Sequence, residues 1–409
     1  MALAGTSAAV GMAAFHRKER AHRCRMAGLD INIHVNGIRG KSTITRMIGG
    51  VLREADITTI AKTTGTYACV IDRTGEEHPI TRTGPANINE QYRFLAEWID
   101  DDVRALVVEC MAVKPKYQAL CQDVILRSPI TVITNVRLDH QEDLGDTLPE
   151  IAASLCATVP DHGVVCGERD PELVAIIREH CETRGSRLVV AEPSDLSRRL
   201  VDDFSYQQFE ENVAVVLAVA EALGIDRKVA CRGMLRAEPD PGTTRITRVT
   251  VEGNSSFYWV PMFAVNDWES TTKVFREVRE RTLPQDCRTV IALNNRADRT
   301  DRASMFVDVV TEDLDGEFDR VVLYGEIQDV VRQKLINAGL PEDRIVMTTD
   351  LDDADGKDLV QRAREGFAED EDVAIFGMVN IHTRHVESME RYVHHLVEGS
   401  LHRTEVTVP

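Results

Sequence analysis

The sequence predicts an α/β protein with two domains: a P-loop central domain on a mainly parallel sheet, followed by a smaller Rossmann-like α/β domain. Three observations carry this. The chain has 409 residues, more than one ordinary core accommodates, so two domains of roughly 150 to 200 residues are expected. Short apolar runs alternate with amphipathic stretches from Leu29 to about Arg236, the pattern of βαβ units whose parallel sheet is covered on both faces. The stretch VNGIRGKST follows the apolar run LDINIHV directly, a strand-to-helix turn of phosphate-binding composition.

Taken in order, residues 1–28 form an N-terminal extension, in which weakly apolar MALAGTSAAVGMAAF precedes basic HRKERAHRCR. About 20 apolar residues span a bilayer, and charges that follow the apolar stretch reverse the order of a secretory signal. The extension therefore reads as a helical tail, or as a weak membrane-proximal anchor with its basic end on the cytoplasmic side. The P-loop domain, 29–238, has strands at LDINIHV, ITTIAK, ALVVEC, ITVITN, GVVC and RLVV. The prolines and glycine of AEPDPGTTR end its last helix and set the boundary. In the second domain, 239–409, strands at FYWVPMF, TVIALN, RVVLYG, RIVMT and VAIFG carry loops 264–270, 294–302 and 377–382 to their carboxyl ends, where open α/β sheets bind ligands.

A net charge of -19 and a pI near 5.1 argue against nucleic acid or an anionic membrane surface as the principal partner. An anionic substrate would need local basic residues to overcome that field. Nine scattered cysteines, without CxxC or a Cys/His cluster, indicate the reduced thiols of a cytoplasmic protein.

In VNGIRGKST, Gly37 and Gly40 let successive N–H groups turn inward, and a helix starting near Lys41 adds the positive end of its dipole. Asn36, Ile38 and Arg39 complete the loop. Lys41 would reach the terminal phosphates, and Ser42 or Thr43 would offer a hydroxyl to Mg²⁺, so a nucleoside triphosphate such as ATP suits it. The usual GxxxxGK[ST] spacing is broken, because Val35 stands where its first glycine belongs. Glu109 ends the strand ALVVE, either as an exposed acid or as a carboxylate that holds Mg²⁺ beside the phosphates. The loop TNVRLDHQED gathers Asn135, Asp139, His140, Glu142 and Asp143. Thr63, Thr64, Gly65 and Thr66 follow a strand and could approach the γ-phosphate or an acceptor carboxylate, or form a solvated turn. In NNRADRTDR, Arg296, Arg299 and Arg302 recur every three residues beside Asp298 and Asp301; such charge is either a solvated face or a set of planar forks for carboxylates.

VNGIRGKST, KTTGT at 62–66, VVECMA at 107–112 and TNVRLDH at 134–140, in this order, resemble the ATP-dependent amide ligases of the Mur and folylpolyglutamate synthase group. Within it the resemblance is greatest to the poly-γ-glutamate synthase family (PgsB/CapB), through PDPG near 240, NDxxST at 266–271, NxRADRxDR at 294–302 and NIH at 380–382. The resemblance implies that Glu109 holds Mg²⁺, that His140 serves a metal or phosphate site, and that Asn212 lies near the adenine, where the alternative is a residue that merely decorates the helix surface. It adds Asn266, Asp267 and Arg245 as candidates lining an interdomain cleft, with Asn380 and His382 beyond them. One departure stands out: the carbamylated lysine that completes a second metal site in Mur ligases has no counterpart, as no lysine lies between Lys116 and Lys228.

The implied activity is polymerisation of glutamate through its γ-carboxylate, by way of an acyl phosphate, with ATP and Mg²⁺. Two domains closing over the site would exclude water from that intermediate. The resemblance further implies a cytoplasmic enzyme at the inner face of the membrane, a small membrane subunit of PgsC/CapC type, an export subunit and a homo-oligomer. A P-loop kinase acting on a small acid, or a non-catalytic nucleotide-binding subunit, would share the loop.

Overall fold

The computed structural model describes residues 16–65, 68–82, 87–204, 206, 208–240, 246–250, 255–263, 265, 267–348, 356–380 and 383–404. The chain divides into two compact units, one of Met1–Phe204 with Gln208–Pro241, the other of Ser205–Gln207 with Gly242–Pro409.

The first unit is built on an eight-stranded sheet. Its strands are β1 (Ile31–Asn36), β2 (Thr59–Lys62), β3 (Cys69–Ile71), β4 (Glu77–Pro79), β5 (Ala105–Glu109), β6 (Ile130–Ile133), β7 (Gly163–Cys166) and β8 (Arg187–Val190), in the order β4-β3-β2-β5-β1-β6-β7-β8. Strand β1 lies between β5 and β6 and is parallel to both, while β2 is parallel to β5. Four carboxyl ends therefore share one edge of the sheet. The hairpin β3–β4 is antiparallel and escapes periodicity, because each strand has only three residues, too few for an alternation to register. Its turn is closed by Asp72 Oδ1, which accepts from the N–H groups of Thr74 and Glu76 at 2.8 and 3.0 Å.

Strand β1 reads as an apolar run, yet only one of its faces is apolar. Ile33 and Val35 pack against Ile44, Met47 and Val107 in the main core. The other face is buried and polar, and the segment Pro115–Leu126 supplies it with hydrogen-bond partners. Asn32 Nδ2 donates to the Leu126 carbonyl at 2.6 Å, His34 Nδ1 meets Gln122 Oε1 at 2.9 Å, and Asn36 Nδ2 donates to Gln118 Oε1 at 2.8 Å. Part of that segment, Cys121–Leu126, winds as a π-helix. This ladder fixes the strand that delivers the glycine loop.

His34 carries a measurable consequence. Burial pushes its imidazole from 6.5 down to about 4, against the hydrogen bond to Gln122. The folded protein keeps His34 neutral, so its contribution is complete above the unfolded value near 6.5 and is lost as pH falls toward about 4. Roughly 3 kcal/mol of stability should disappear across this window. Denaturant midpoints between pH 7 and 4 measure it, and the same series on His34→Leu should lack that one-proton slope.

The second unit carries a six-stranded sheet of β9 (Thr247–Thr250), β10 (Ser256–Pro261), β11 (Arg288–Asn295), β12 (Arg320–Gly325), β13 (Ile345–Met347) and β14 (Val373–Val379), in the order β13-β12-β11-β14-β10-β9. Only β9 runs antiparallel, against β10. Gly377 in β14 is required by packing: a Cβ there would lie 2.6 Å from both Trp259 and Phe263, whose rings fill the core. Among the described residues no helix is long and apolar enough to cross a membrane.

Candidate active site

The site grows from the carboxyl ends of β1, β2, β5 and β6. After Asn36 the chain turns through Gly37 at φ 124° and Gly40 at φ 77°, conformations that a side chain would oppose, and enters the helix Lys41–Glu54. A Cβ on Gly37 would lie 2.1 Å from Thr134 Oγ1, so the loop rests directly on the end of β6. That rest is bonded: the Arg39 N–H donates to Asn135 Oδ1 at 3.0 Å, while Thr134 Oγ1 and Asn135 Nδ2 donate to the Arg39 carbonyl at 2.6 and 3.1 Å. Asn212, on the helix Glu210–Ala222, faces the loop from the other side, its Oδ1 2.8 Å from where a Cβ on Gly40 would stand. Its Nδ2 donates to Gln208 Oε1 at 3.1 Å.

The Lys41 ammonium folds back over this loop and donates to the Gly37 and Ile38 carbonyls at 2.8 and 3.0 Å. Burial holds it below the ordinary lysine value, with Glu109 opposing. One residue further, Ser42 Oγ donates to Glu109 Oε2 at 2.9 Å, and the Thr64 N–H reaches the same oxygen at 2.7 Å. Glu109 is 2 % exposed, so it is a buried strand-end carboxylate and not a surface acid. Gly65 completes the corner, since a Cβ there would lie 2.9 Å from Ser42 Oγ. Lys41, Ser42, Thr64 and Glu109 are thus brought together from three strands.

Other candidates are placed differently. Asn36 turns its side chain into the buried ladder, with Thr158 Oγ1 also at 3.1 Å, and Ile38 packs into a core cluster with Ile133 and Val136; only their backbones belong to the loop. Arg39 pairs with Asp139 at 3.1 Å. His140, at φ 50°, stands 56 % exposed with Nε2 3.9 Å from Asp139. Among the described residues, the trio of acid and histidine side chains close enough to share an ion is Asp72, Glu76 and His78 on the β3–β4 hairpin, and His140 joins Glu109 in no such group. Thr63 is fully buried, its Oγ1 3.2 Å from Cys69 Sγ.

In the second unit the spacing of the arginines does not produce one helical row. Arg296 and Arg299 precede the helix Thr300–Asp308, and Arg302 lies in its first turn. Arg296 is already held by Asp298 in a two-pronged contact of 2.9 and 2.7 Å, while Arg302 donates to the Val379 carbonyl at 3.4 Å. Asp267 caps the helix Trp268–Arg281 by accepting from the Ser270 N–H at 2.9 Å. Asn380 is buried and donates to the Asn294 carbonyl at 2.9 Å. Thr66, Arg245, Asn266 and His382 lie outside the described residues.

A partly buried charged triad beside the site went unread in the sequence. Lys62, fully buried at the end of β2, lies 2.9 Å from Glu90 Oε1, a close charge contact that lacks hydrogen-bond alignment. Glu90 is gripped on both oxygens by Arg82 at 2.8 and 3.1 Å. The available signal was a lysine at the end of an otherwise apolar strand, in KTTGT, where a buried cation requires an acid.

These residues fit a nucleoside triphosphate with Mg²⁺. The turns at Gly37 and Gly40 lead the loop into the helix Lys41–Glu54, whose N-terminus has no side-chain cap and favours phosphate. The hydroxyl of Ser42 and the carboxylate of Glu109 are the hard oxygen donors that Mg²⁺ takes alongside phosphate oxygens.

Known proteins resemble the chain in sequence and in fold. Residues 35–231 match the Mur ligase middle domain, and residues 246–396 match the poly-gamma-glutamate synthase CapB C-terminal domain. The chain is 35% identical over 368 residues to PGA synthase CapB of Bacillus subtilis, covering 89% of this chain and 91% of that one. It is 40% identical over 312 residues to the capsule biosynthesis protein CapB of Bacillus anthracis, covering 76% of this chain and 66% of that one. In fold it is similar to Escherichia coli FolC in complex with ADP, at a TM-score of 0.62 and 14% identity over 95% of this chain and 93% of that one. It is also similar to MurF of Acinetobacter baumannii, at a TM-score of 0.63 and 15% identity over 91% and 78% of the two chains.

Proposed function

The chain belongs to the CapB family of poly-γ-glutamate synthases, and on that premise we propose that it is an ATP-dependent amide ligase joining glutamate units through their γ-carboxylates. ATP with Mg²⁺ supplies the phosphoryl group that turns a γ-carboxylate into an acyl phosphate; the amine of the acceptor then displaces phosphate, and ADP and phosphate are released. The observation that carries the reading is the convergence of Ser42 Oγ and the Thr64 N–H on one oxygen of buried Glu109, beside Lys41 and the glycine loop.

Each residue has work to do there. Ser42 and Glu109 hold the cation, and Lys41 exchanges two loop carbonyls for phosphate oxygens, neutralising charge on the transferring group. Asn212 sits against Gly40, where it limits how the nucleotide lies on the loop. Thr64 and Gly65 bring the backbone after β2 to the same carboxylate, which suits them to position the acid that receives the phosphoryl group. With Glu109 and Ser42 as the ligands in place, one Mg²⁺ suffices, and His140 serves the phosphate side of the loop through Asp139 and Arg39. In the second unit Arg299, Arg302 and Asp267 are the substrate-facing candidates. A small membrane subunit would seat the enzyme at the inner face of the membrane.

The test is ADP release by purified protein, with and without glutamate or short γ-glutamyl chains, and with and without the membrane subunit. Strict dependence on the amino acid, with product mass rising by glutamyl increments, is the expected result. A phosphorylated small acid as the end product would make the protein a kinase, and nucleotide binding without turnover would make it a binding subunit.

A further inference from the structure

On the first unit, behind the glycine loop, the helix Lys41–Glu54, the β3–β4 hairpin and residues 236–238 enclose a cavity of about 420 Å³. Arginines 46, 53, 73 and 236 line it together with Glu77 and Glu238. Three of these arginines are spoken for: Arg46 pairs with Glu77, Arg73 with Asp100 at 2.7 Å and Arg236 with Glu54 at 2.6 Å. Arg53 is the exception. Its Nη1 is buried without a hydrogen-bond partner, and among the described residues no ion pair reaches its guanidinium. Burial holds it below the ordinary arginine value, with Asp72 opposing. The fork passes close over two glycines, since a Cβ on Gly49 would lie 3.3 Å from Nη1 and a Cβ on Gly75 3.6 Å from Nε. A half-buried guanidinium with no acid in contact with it costs free energy unless an anion reaches it, and a cavity of this size is in the range that takes small ligands.

We infer that this cavity binds a pendant carboxylate of the γ-glutamyl chain, with Arg53 as its fork, and so holds the polymer away from the reacting end. The inference rests on the ligase reading above. Arg53 is twelve residues beyond Lys41 on one helix, roughly 18 Å along its axis, so the cavity is separate from the phosphate loop. Its lining selects among anions. Glu77 and Glu238 would repel a doubly charged phosphate, but they offer acceptors to the amide N–H groups that alternate with carboxylates along a γ-glutamyl chain, while the arginine supplies the planar donor pair a carboxylate prefers.

Calorimetric titration of the full chain with a short γ-glutamyl oligomer, and separately with ADP and Mg²⁺, tests this. Arg53→Met should weaken oligomer binding about ten- to hundredfold, leave ADP binding unchanged, and be partly restored in Arg53→Lys. Arg53→Gln serves if the methionine variant fails to fold. Oligomer affinity equal to wild type in these variants overturns the inference, as does displacement of the oligomer by inorganic phosphate at equal concentration, which would mark a general anion site. Glutamate-dependent ADP release by the wild-type protein is followed in parallel. Its absence would count against the ligase reading, whereas its presence with unaltered oligomer binding in Arg53→Met would sink the chain-holding site alone.

Discussion

Lys41→Met is expected to lower glutamate-dependent ADP release by about 10²- to 10³-fold, the usual loss when one preorganised donor is taken from a transferring group. The structure explains why the loss should fall on turnover and not on folding. In the loop the ammonium satisfies the Gly37 and Ile38 carbonyls, which water can serve in the variant because the residue is partly exposed. Once a triphosphate lies on the loop, no other lysine of the loop is available to neutralise the charge on its outermost group. Steady-state ADP release against ATP concentration separates a fall in kcat from a rise in KM, and thermal melting checks that the fold is intact. Lys41→Arg keeps the charge but not the compact head, so recovery should be partial. Turnover within about threefold of wild type in Lys41→Met would remove the phosphate loop from the mechanism.

The second large effect concerns Glu90. Burial alone would raise its carboxyl, but Arg82 and Lys62 outweigh burial and bring it from 4.5 down to about 2. A depressed carboxylate contributes stability that is complete above its unfolded value near 4.5 and is lost as pH falls through about 2. In Glu90→Gln the loss should be present at neutral pH: the fully buried Lys62 would lose the counter-charge in contact with it, a defect of about 3–5 kcal/mol. Chemical denaturation at pH 7 measures it. The double variant Lys62→Met with Glu90→Gln should recover part of the loss, since the stranded charge is gone. A Glu90→Gln protein as stable as wild type would mean that the triad does not stabilise the end of β2. Because Lys62 immediately precedes Thr63 and Thr64, a loosened β2 should also raise the KM for the acid substrate.

Much of this molecule could be read before any coordinates. The six parallel strands of the first sheet announce themselves as short, largely apolar runs, because strands covered on both faces are rich in apolar, β-branched side chains. The glycine loop is equally legible, since backbone amides can grip phosphate only where glycine allows the turn. Tertiary structure alone decided the rest. Nothing local to LDINIHV says that Asn32, His34 and Asn36 would be buried, because their partners, Gln118, Gln122 and the Leu126 carbonyl, lie more than eighty residues away. The even spacing of Arg296, Arg299 and Arg302 suggested a row of forks, and the chain instead spends Arg296 on its neighbour Asp298. Arg53 and Lys62 look alike as cations in a list of residues, yet one is buried against an acid and the other is left facing a cavity. Sequence patterns report what repeats along the chain, namely strand and helix periods and the loops between them. Whether a charge finds a partner depends on which distant segment folding sets beside it, and electrostatic energy is decided by that distance and by the water removed from it.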